Sequence, residues 1–283
     1  MEIYFINGDY SHRYDANISV EDRGFNFADG VYEVVAFKDE KILNFERHFK
    51  RLQRSLDALR IKNPYYNLKT LEIIFKQLIK KNKISAGFLY LQITRGSAFR
   101  KHEFPVQVSP NVVIFCFNTK KQEKLTMGVK VGLSEDLRWK RCDIKSISLL
   151  PNLLEKQKAT ESGLYEIWQM RDNHITEGST SNAFIIDSKD TILTHPANKY
   201  ILGGVTRDCV IEIAKKKGIK LLEKSFSKKD LKSCNEAFLS STTVGILPVV
   251  QVEDSIIKNG KPGRITEKMM NNYNEFLYNQ TNE

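Results

Sequence analysis

From Asn44 onward the apolar residues Phe45, Phe49, Leu52, Leu56 and Leu59 recur at alternating spacings of four and three, a period that predicts a helix capped by Asn44 with one buried face. Leu71, Ile74, Phe75 and Leu78 predict a second helix of the same kind. Between and around them, Val31 to Phe37, Gly87 to Thr94 and Val112 to Phe117 are short runs rich in β-branched and aromatic residues, which read as strands. The first part of the chain is therefore mixed α and β.

Residues 118–126, Asn-Thr-Lys-Lys-Gln-Glu-Lys-Leu-Thr, are polar and charged between two strand-like runs, so a domain boundary is expected near residue 120. Residues 1–120 would form a smaller α/β domain and 121–283 a larger one. In the second part, Pro151 opens a helix that Gly163 closes, and strands at 164–170 and 183–187 flank a hairpin turn at Asp172-Asn173. A helix starts at Thr206 and stops at Gly218, strands lie near 236–241 and 246–252, and a last helix begins near 265. No repeat or low-complexity segment interrupts the order.

Length and charge narrow the picture. The chain has 283 residues, enough for two domains that each bury a core. Its 44 basic against 34 acidic residues give a formal charge of +10, but the lysines are scattered and not interleaved with aromatics, which argues against a nucleic-acid surface. Cys116, Cys142, Cys209 and Cys234 have no zinc-ligand spacing and read as reduced thiols, so no metal is expected. The first residues do not resemble a signal peptide, and nowhere do eighteen apolar residues run together, so a soluble, cytoplasmic protein with no membrane partner is expected.

The common hydrolase, zinc, P-loop and dinucleotide signatures are all missing. What remains is a set of weaker features. Lys145 stands among apolar residues in Asp143-Ile-Lys-Ser-Ile147, where a lysine either snorkels to water or, partly desolvated, serves as a nucleophilic amine. Leu202-Gly-Gly-Val-Thr-Arg-Asp208 runs a glycine pair into a helix start, whose free N–H groups suit a phosphate and also suit an ordinary capped helix. Ser240-Ser-Thr-Thr243 ends a strand with four hydroxyls, and Glu177 sits beside Gly178 and a cluster of small hydroxyl residues. Arg47, Arg51 and Arg54 share a helix face, as a solvated stripe or with one guanidinium turned to a phosphate.

In order along the chain, Glu21-Asp-Arg-Gly-Phe-Asn-Phe-Ala-Asp-Gly-Val-Tyr-Glu33, Cys142-Asp-Ile-Lys-Ser146, Thr176-Glu-Gly-Ser179, Thr194-His-Pro-Ala-Asn198 and Gly204-Val-Thr-Arg-Asp208 resemble the motifs of D-amino-acid aminotransferases. These belong to the fold-type IV pyridoxal-phosphate enzymes, together with branched-chain aminotransferases and aminodeoxychorismate lyases. The resemblance covers nearly the whole chain and implies two mixed α/β domains with pyridoxal 5′-phosphate between them. It implies that Lys145 forms the Schiff base with the cofactor and then shuttles the substrate proton. Arg51, the backbone amides of Val205 and Thr206, and the Thr206 and Thr242 hydroxyls match phosphate ligands. Glu177 matches the partner of the ring nitrogen, Leu202 the residue packed on the ring, and Glu166 with Thr180 a supporting polar network.

The resemblance also implies a homodimer in which Arg100 and His102 reach the neighbouring subunit's site and, with Tyr32, hold the substrate α-carboxylate. That pair argues for D-amino acids and 2-oxo acids as substrates, D-alanine and 2-oxoglutarate giving pyruvate and D-glutamate, over an L-branched-chain aminotransferase or an aminodeoxychorismate lyase. A basic, noncatalytic nucleic-acid-binding protein is the remaining alternative. Two departures stand out: Val244-Gly245 replaces a Ser-Glu pair near the expected side-chain pocket, and Pro151-Asn152 replaces small apolar residues after the lysine.

Overall fold

The computed structural model describes residues 2–65, 67–118 and 127–282. In chain order its elements are β1 (Ile3–Ile6), β2 (Asp9–His12), α1 (Arg23–Phe27), β3 (Gly30–Lys38), β4 (Lys41–Ile42), α2 (Phe45–Leu59), α3 (Leu68–Asn82), β5 (Ala86–Thr94) and β6 (Asn111–Phe117). There follow β7 (Val129–Glu135), α4 (Leu150–Glu161), β8 (Glu166–Arg171), β9 (His174–Gly178), β10 (Asn182–Ile186), β11 (Ile192–Thr194) and α5 (Val205–Lys216). The last are β12 (Leu221–Glu223), α6 (Lys228–Ser233), β13 (Glu236–Ser241), β14 (Gly245–Val252), β15 (Ser255–Ile256) and α7 (Arg264–Asn282).

By contacts the chain divides into two compact units. The described residues up to 118, joined by Ile144–Ser148, make the first; those from 127 to 143 and from 149 to 282 make the second. The segment 118–126, on which the expected boundary near residue 120 rests, lies outside the described residues apart from Asn118. One expectation needs correction: Lys145, expected in the C-terminal domain, groups with the first unit. The cause is local. Ile144 is buried in that unit's core, Tyr32 N–H donates to the Lys145 carbonyl at 3.0 Å, and Ile147 N–H donates to the Gly30 carbonyl at 3.1 Å.

The first unit is a six-stranded antiparallel sheet in the order β2-β1-β6-β5-β3-β4. Its central strand β3 alternates cleanly: Val31, Glu33, Val35 and Phe37 are buried while Tyr32, Val34 and Ala36 are half-buried. Val31, Val35 and Phe37 join Leu52, Leu56, Leu71, Phe75 and Leu78 of α2 and α3 in one core. A carboxylate thus occupies a position whose strand neighbours face apolar helices.

The second unit is a nine-stranded mixed sheet whose main path runs β12-β11-β10-β13-β14-β7-β8-β9, with β15 pairing β14. Strand β10 is buried throughout: Ala183 and Ile185 face one core with Trp168, Leu239 and Phe226, and Phe184 and Ile186 face another with Val210, Ile213 and Met269 of α5 and α7. A strand covered on both sides reads as a continuous apolar run, which Ala-Phe-Ile-Ile does. The hairpin at Asp172-Asn173 exists, with both residues at positive φ (49° and 61°), as a two-residue turn of matching twist requires. It joins β8 to β9, not to the strand expected at 183–187, which pairs with β13 instead. Strand β9 escapes an apolar pattern because Thr176, Glu177 and Gly178 are buried polar and small residues.

Candidate active site

In the first unit the Lys145 amine lies 4.0 Å from the centre of the Tyr32 ring, and its backbone N–H donates to Ser55 Oγ at 3.2 Å. Strand β3 carries both Tyr32 and Glu33, so consecutive side chains leave the strand on opposite faces. Glu33 receives Arg51 of α2 as a fork, Nε to Oε1 at 2.8 Å and Nη2 to Oε2 at 2.7 Å, and the His48 Nδ1 lies 2.8 Å from Oε2. All three are buried. Burial opposes the charge on Glu33, but Arg51 and His48 outweigh it and bring its pKa down to about 2. Burial, with the charges of Arg51 and Lys145, pushes His48 below its ordinary value despite Glu33, so a neutral ring donates Nδ1–H to the carboxylate. Of the three arginines on this helix, Arg51 is buried and Arg54 exposed.

Arg100 and His102 form a second, exposed cluster. The Arg100 guanidinium lies 4.9 Å and the His102 ring 5.6 Å from the centre of the Phe27 ring. Their loop is tied down by the buried Arg23, which donates to the Lys101 carbonyl at 2.6 Å and to Asp29 at 2.9 Å. The apolar side chains of Phe99 and Val106 on the same loop are largely exposed.

In the second unit Glu177 is buried on β9 and surrounded by donors. Asn182 Nδ2 donates at 3.0 Å, Leu202 N–H at 3.1 Å to either oxygen, and Arg138 Nη1 to Oε1. Burial raises its pKa above the usual carboxylate range, while Arg138 and the Leu202 amide hold it back. Asn182 also donates to the Leu202 carbonyl at 2.9 Å, and its Oδ1 occupies the space that a Cβ on Gly204 would need. Gly204 is the N-cap of α5, and Val205 and Thr206 open that twelve-residue helix. Their amides lack intrahelical acceptors by geometry, and the helix dipole is positive there.

Ser240, opposite Asn182 in the ladder, is buried and its hydroxyl has no partner among the described residues; Thr242 follows, half-buried, in the turn to β14. Tyr273 of α7 links these parts: its hydroxyl lies 3.5 Å from Thr206 Oγ1, and its ring would be 3.1 Å from a Cβ on Gly245. Glu166, fully buried, accepts from the Thr180 amide at 2.6 Å and hydroxyl at 2.7 Å and from Ser179 at 3.2 Å.

In the first unit the structure sets Lys145 against Tyr32 and, from the opposite face of β3, binds Arg51 to Glu33 beside His48; in the second it groups Glu177 with Leu202, and Thr206 with Tyr273, near the Ser240–Thr242 run. Sequence reasoning missed the residues that fix these: Glu33, His48, Asn182 and Arg138. A signal existed for Glu33, the one acid within an apolar strand run, at the spacing of the inward valines.

A model of the amino-transferase class IV family matches residues 30–252. The chain belongs to the class IV aminotransferases. It is 36% identical over 276 residues to the D-alanine aminotransferase of Staphylococcus epidermidis, covering 96% of this chain and 97% of that one. The D-alanine aminotransferase of Bacillus licheniformis is 35% identical over 282 residues, covering 99% of each. Among solved structures, a branched-chain amino acid aminotransferase from T.th., with pyridoxamine 5′-phosphate, superposes with a TM-score of 0.90 at 21% identity, over 98% of this chain and 94% of that one. The fold is accordingly that of fold-type IV, two sheets with helices, and class IV aminotransferases use pyridoxal 5′-phosphate. Each unit holds donors that fit a part of such a group: in the second, a buried carboxylate ringed by N–H donors for a protonated ring nitrogen, and a helix start where Asn182 leaves no room for a Cβ with an unpartnered buried hydroxyl for a phosphate; in the first, an amine for an aldehyde.

Proposed function

We propose that this class IV aminotransferase is a D-amino-acid transaminase, moving the amino group of D-alanine to 2-oxoglutarate to give pyruvate and D-glutamate. When bound, the cofactor supplies an aldehyde carbon that condenses with amines and a ring that, protonated at nitrogen, takes up the electron pair left at the substrate Cα. Lys145 Nζ would be the amine that holds that carbon and the base that moves the Cα proton. Glu177 would keep the ring nitrogen protonated, and Leu202 would lie against the ring. Arg51, the Val205 and Thr206 amides, and the Thr206 and Thr242 hydroxyls would bind the phosphate.

D-specificity is carried by one observation, the pairing of Arg100 and His102 across Phe27 in a loop anchored by Arg23. Both are exposed, beside the bare apolar surfaces of Phe99 and Val106, as expected of a loop that reaches a second copy in a homodimer. There a guanidinium fork and an imidazole, with Tyr32 of the receiving subunit, would fix the α-carboxylate and so present one face of Cα to Lys145. The identity to D-alanine aminotransferases supports the same substrates.

Two measurements test this. Borohydride should fix the cofactor covalently to Lys145, as read by peptide mass mapping; a label on another lysine refutes the assignment. In a panel with 2-oxoglutarate as acceptor, kcat/KM should favour D-alanine and D-aspartate over L-alanine and L-leucine, and 4-amino-4-deoxychorismate should not be cleaved. A preference for L-leucine would overturn D-specificity and leave the aminotransferase chemistry standing.

A further inference from the structure

Glu177 does not meet its surroundings alone. Asp136, just beyond β7, and Arg138 form a closed fork: Arg138 Nε lies 2.9 Å from Asp136 Oδ1 and Nη2 2.8 Å from Oδ2. Asp136 is held from the other side by Arg171 Nε at 3.0 Å and Thr176 Oγ1 at 3.0 Å. Arg138 Nη2 also donates to the Tyr200 carbonyl at 3.2 Å, which leaves Nη1 as the arm turned to Glu177. Asp136, Arg138 and Glu177 are all more than nine-tenths buried. The guanidinium therefore cannot swing away or be replaced by water without breaking the fork.

Every described partner of Glu177, from Arg138, Asn182 and Leu202, is a donor. A carboxylate accepts from all of them, whereas a neutral acid would have to aim its own O–H at an acceptor, and as oriented, with Asn182 Nδ2 also donating to the Leu202 carbonyl, these three turn only donors to it. A ring nitrogen brought to Glu177 would be such an acceptor, so the proton between them has two possible owners. The cationic neighbour decides between them, because it stabilises the carboxylate and not the acid.

We propose that Arg138 is a positioning residue that, clamped by Asp136, keeps Glu177 ionised and so leaves the shared proton on the ring nitrogen, a role that rests on the reading of Glu177 given above. Burial and, to a smaller extent, the charge of Asp136 leave the Glu177 carboxyl above its ordinary value, with Arg138 the largest influence holding it down; Asp136 itself stays low through Arg138 and Arg171 although burial raises it. Of the other titratable neighbours, Cys142 is pushed up to about 11 by burial and remains a neutral thiol, and His195 is lowered chiefly by burial. Without the guanidinium, the buried acid would take the proton itself and the ring would lose its capacity to hold the electron pair.

The test is isotope-edited infrared spectroscopy of the holoenzyme, reading the carboxyl of Glu177, on wild type, Arg138→Met, Asp136→Asn with Arg138→Met, Arg138→Lys and Glu177→Gln. The double variant removes both charges of the fork and so does not strand a buried Asp136 if the single one fails to fold. At pH 7 wild type should show no acid carbonyl band assignable to Glu177. The charge-removing variants should show one that disappears when Glu177→Gln is added. Their bound-cofactor absorption should shift toward the unprotonated ring, and kcat should fall roughly 10- to 100-fold with KM little changed, the range for loss of a partner that orients a ligating side chain. Arg138→Lys should restore part of kcat. A protonated Glu177 in wild type, or an ionised one in the charge-removing variants with kcat intact, overturns the role of Arg138. Wild-type turnover in Glu177→Gln instead refutes the reading of Glu177 itself, so the two failures are distinct.

Discussion

A charge buried beside its counter-charge is a two-sided commitment, and Glu33 with Arg51 shows both sides. Removing Arg51 alone leaves a carboxylate facing only a neutral imidazole, at a cost of about 3–5 kcal/mol, so Arg51→Ala would confound phosphate binding with unfolding. Arg51→Ala with Glu33→Gln should fold and retain cofactor less tightly by ~1.5–3 kcal/mol, the value of one charge-assisted hydrogen bond, as read by equilibrium dialysis. Unchanged retention would return Arg51 to a purely structural role. The same pair sets an acid limit. Because the folded pKa of Glu33 is about 2, below its ordinary value of 4.5, its contribution is complete above about pH 4.5 and is lost as pH falls toward 2, on the order of 3 kcal/mol. His48, lowered by burial, adds loss in the same direction as it becomes charged. Glu33→Gln should therefore flatten the acid limb of stability against pH in denaturant titrations, and an unaltered limb would mean other carboxylates dominate it.

Among elements, those with one apolar face were legible. Leu71, Ile74, Phe75 and Leu78 predicted α3 and are all buried in it. In α2 the helix and its apolar face were both legible but the face is wider than the pattern: Leu52 and Leu56 are buried, Phe45, Phe49 and Leu59 pack half-buried against the same core, and His48, Arg51 and Ser55 are buried beside them. Glu33 in the strand beneath draws in a histidine and an arginine that no hydrophobic pattern counts. Strand β9 was hidden for the same reason, its buried residues being polar. Chemistry, in both places, buries residues that periodicity does not count. The start of α5 was legible as a glycine pair and gains a steric cause in the structure: a Cβ on Gly204 would strike Asn182. Gly204→Ala should cost roughly 1–3 kcal/mol of stability through overpacking and should also weaken cofactor retention, since the helix start must shift. Gly218→Ala, after the other end of the same helix, meets open space at φ +65° and should lower stability without touching retention. Thermal midpoints and dialysis separate the two, and equal retention in both variants would remove the helix start from the phosphate site.

For the whole molecule, the question is whether one chain makes a complete site. Leu150, Leu153 and Leu154 of α4 are exposed, as are Phe99 and Val106, apolar side chains that a second copy would cover. If Arg100 and His102 serve a neighbour, catalysis requires two copies, and defects in two different residues must complement. Lys145→Ala subunits mixed with Arg100→Ala subunits and allowed to exchange would form hybrid dimers in which one site carries both defects and the other carries neither. Each parent is impaired at both of its sites. Equal mixing with random pairing makes half the dimers hybrid, so D-alanine transamination should recover to roughly one quarter of the wild-type value. A site built from one chain gives a different result: every hybrid site then retains one defect, and activity stays at the average of the unmixed parents. That outcome would remove the shared carboxylate clamp and with it the structural ground for D over L substrates, while leaving Lys145, Glu177 and the phosphate ligands untouched.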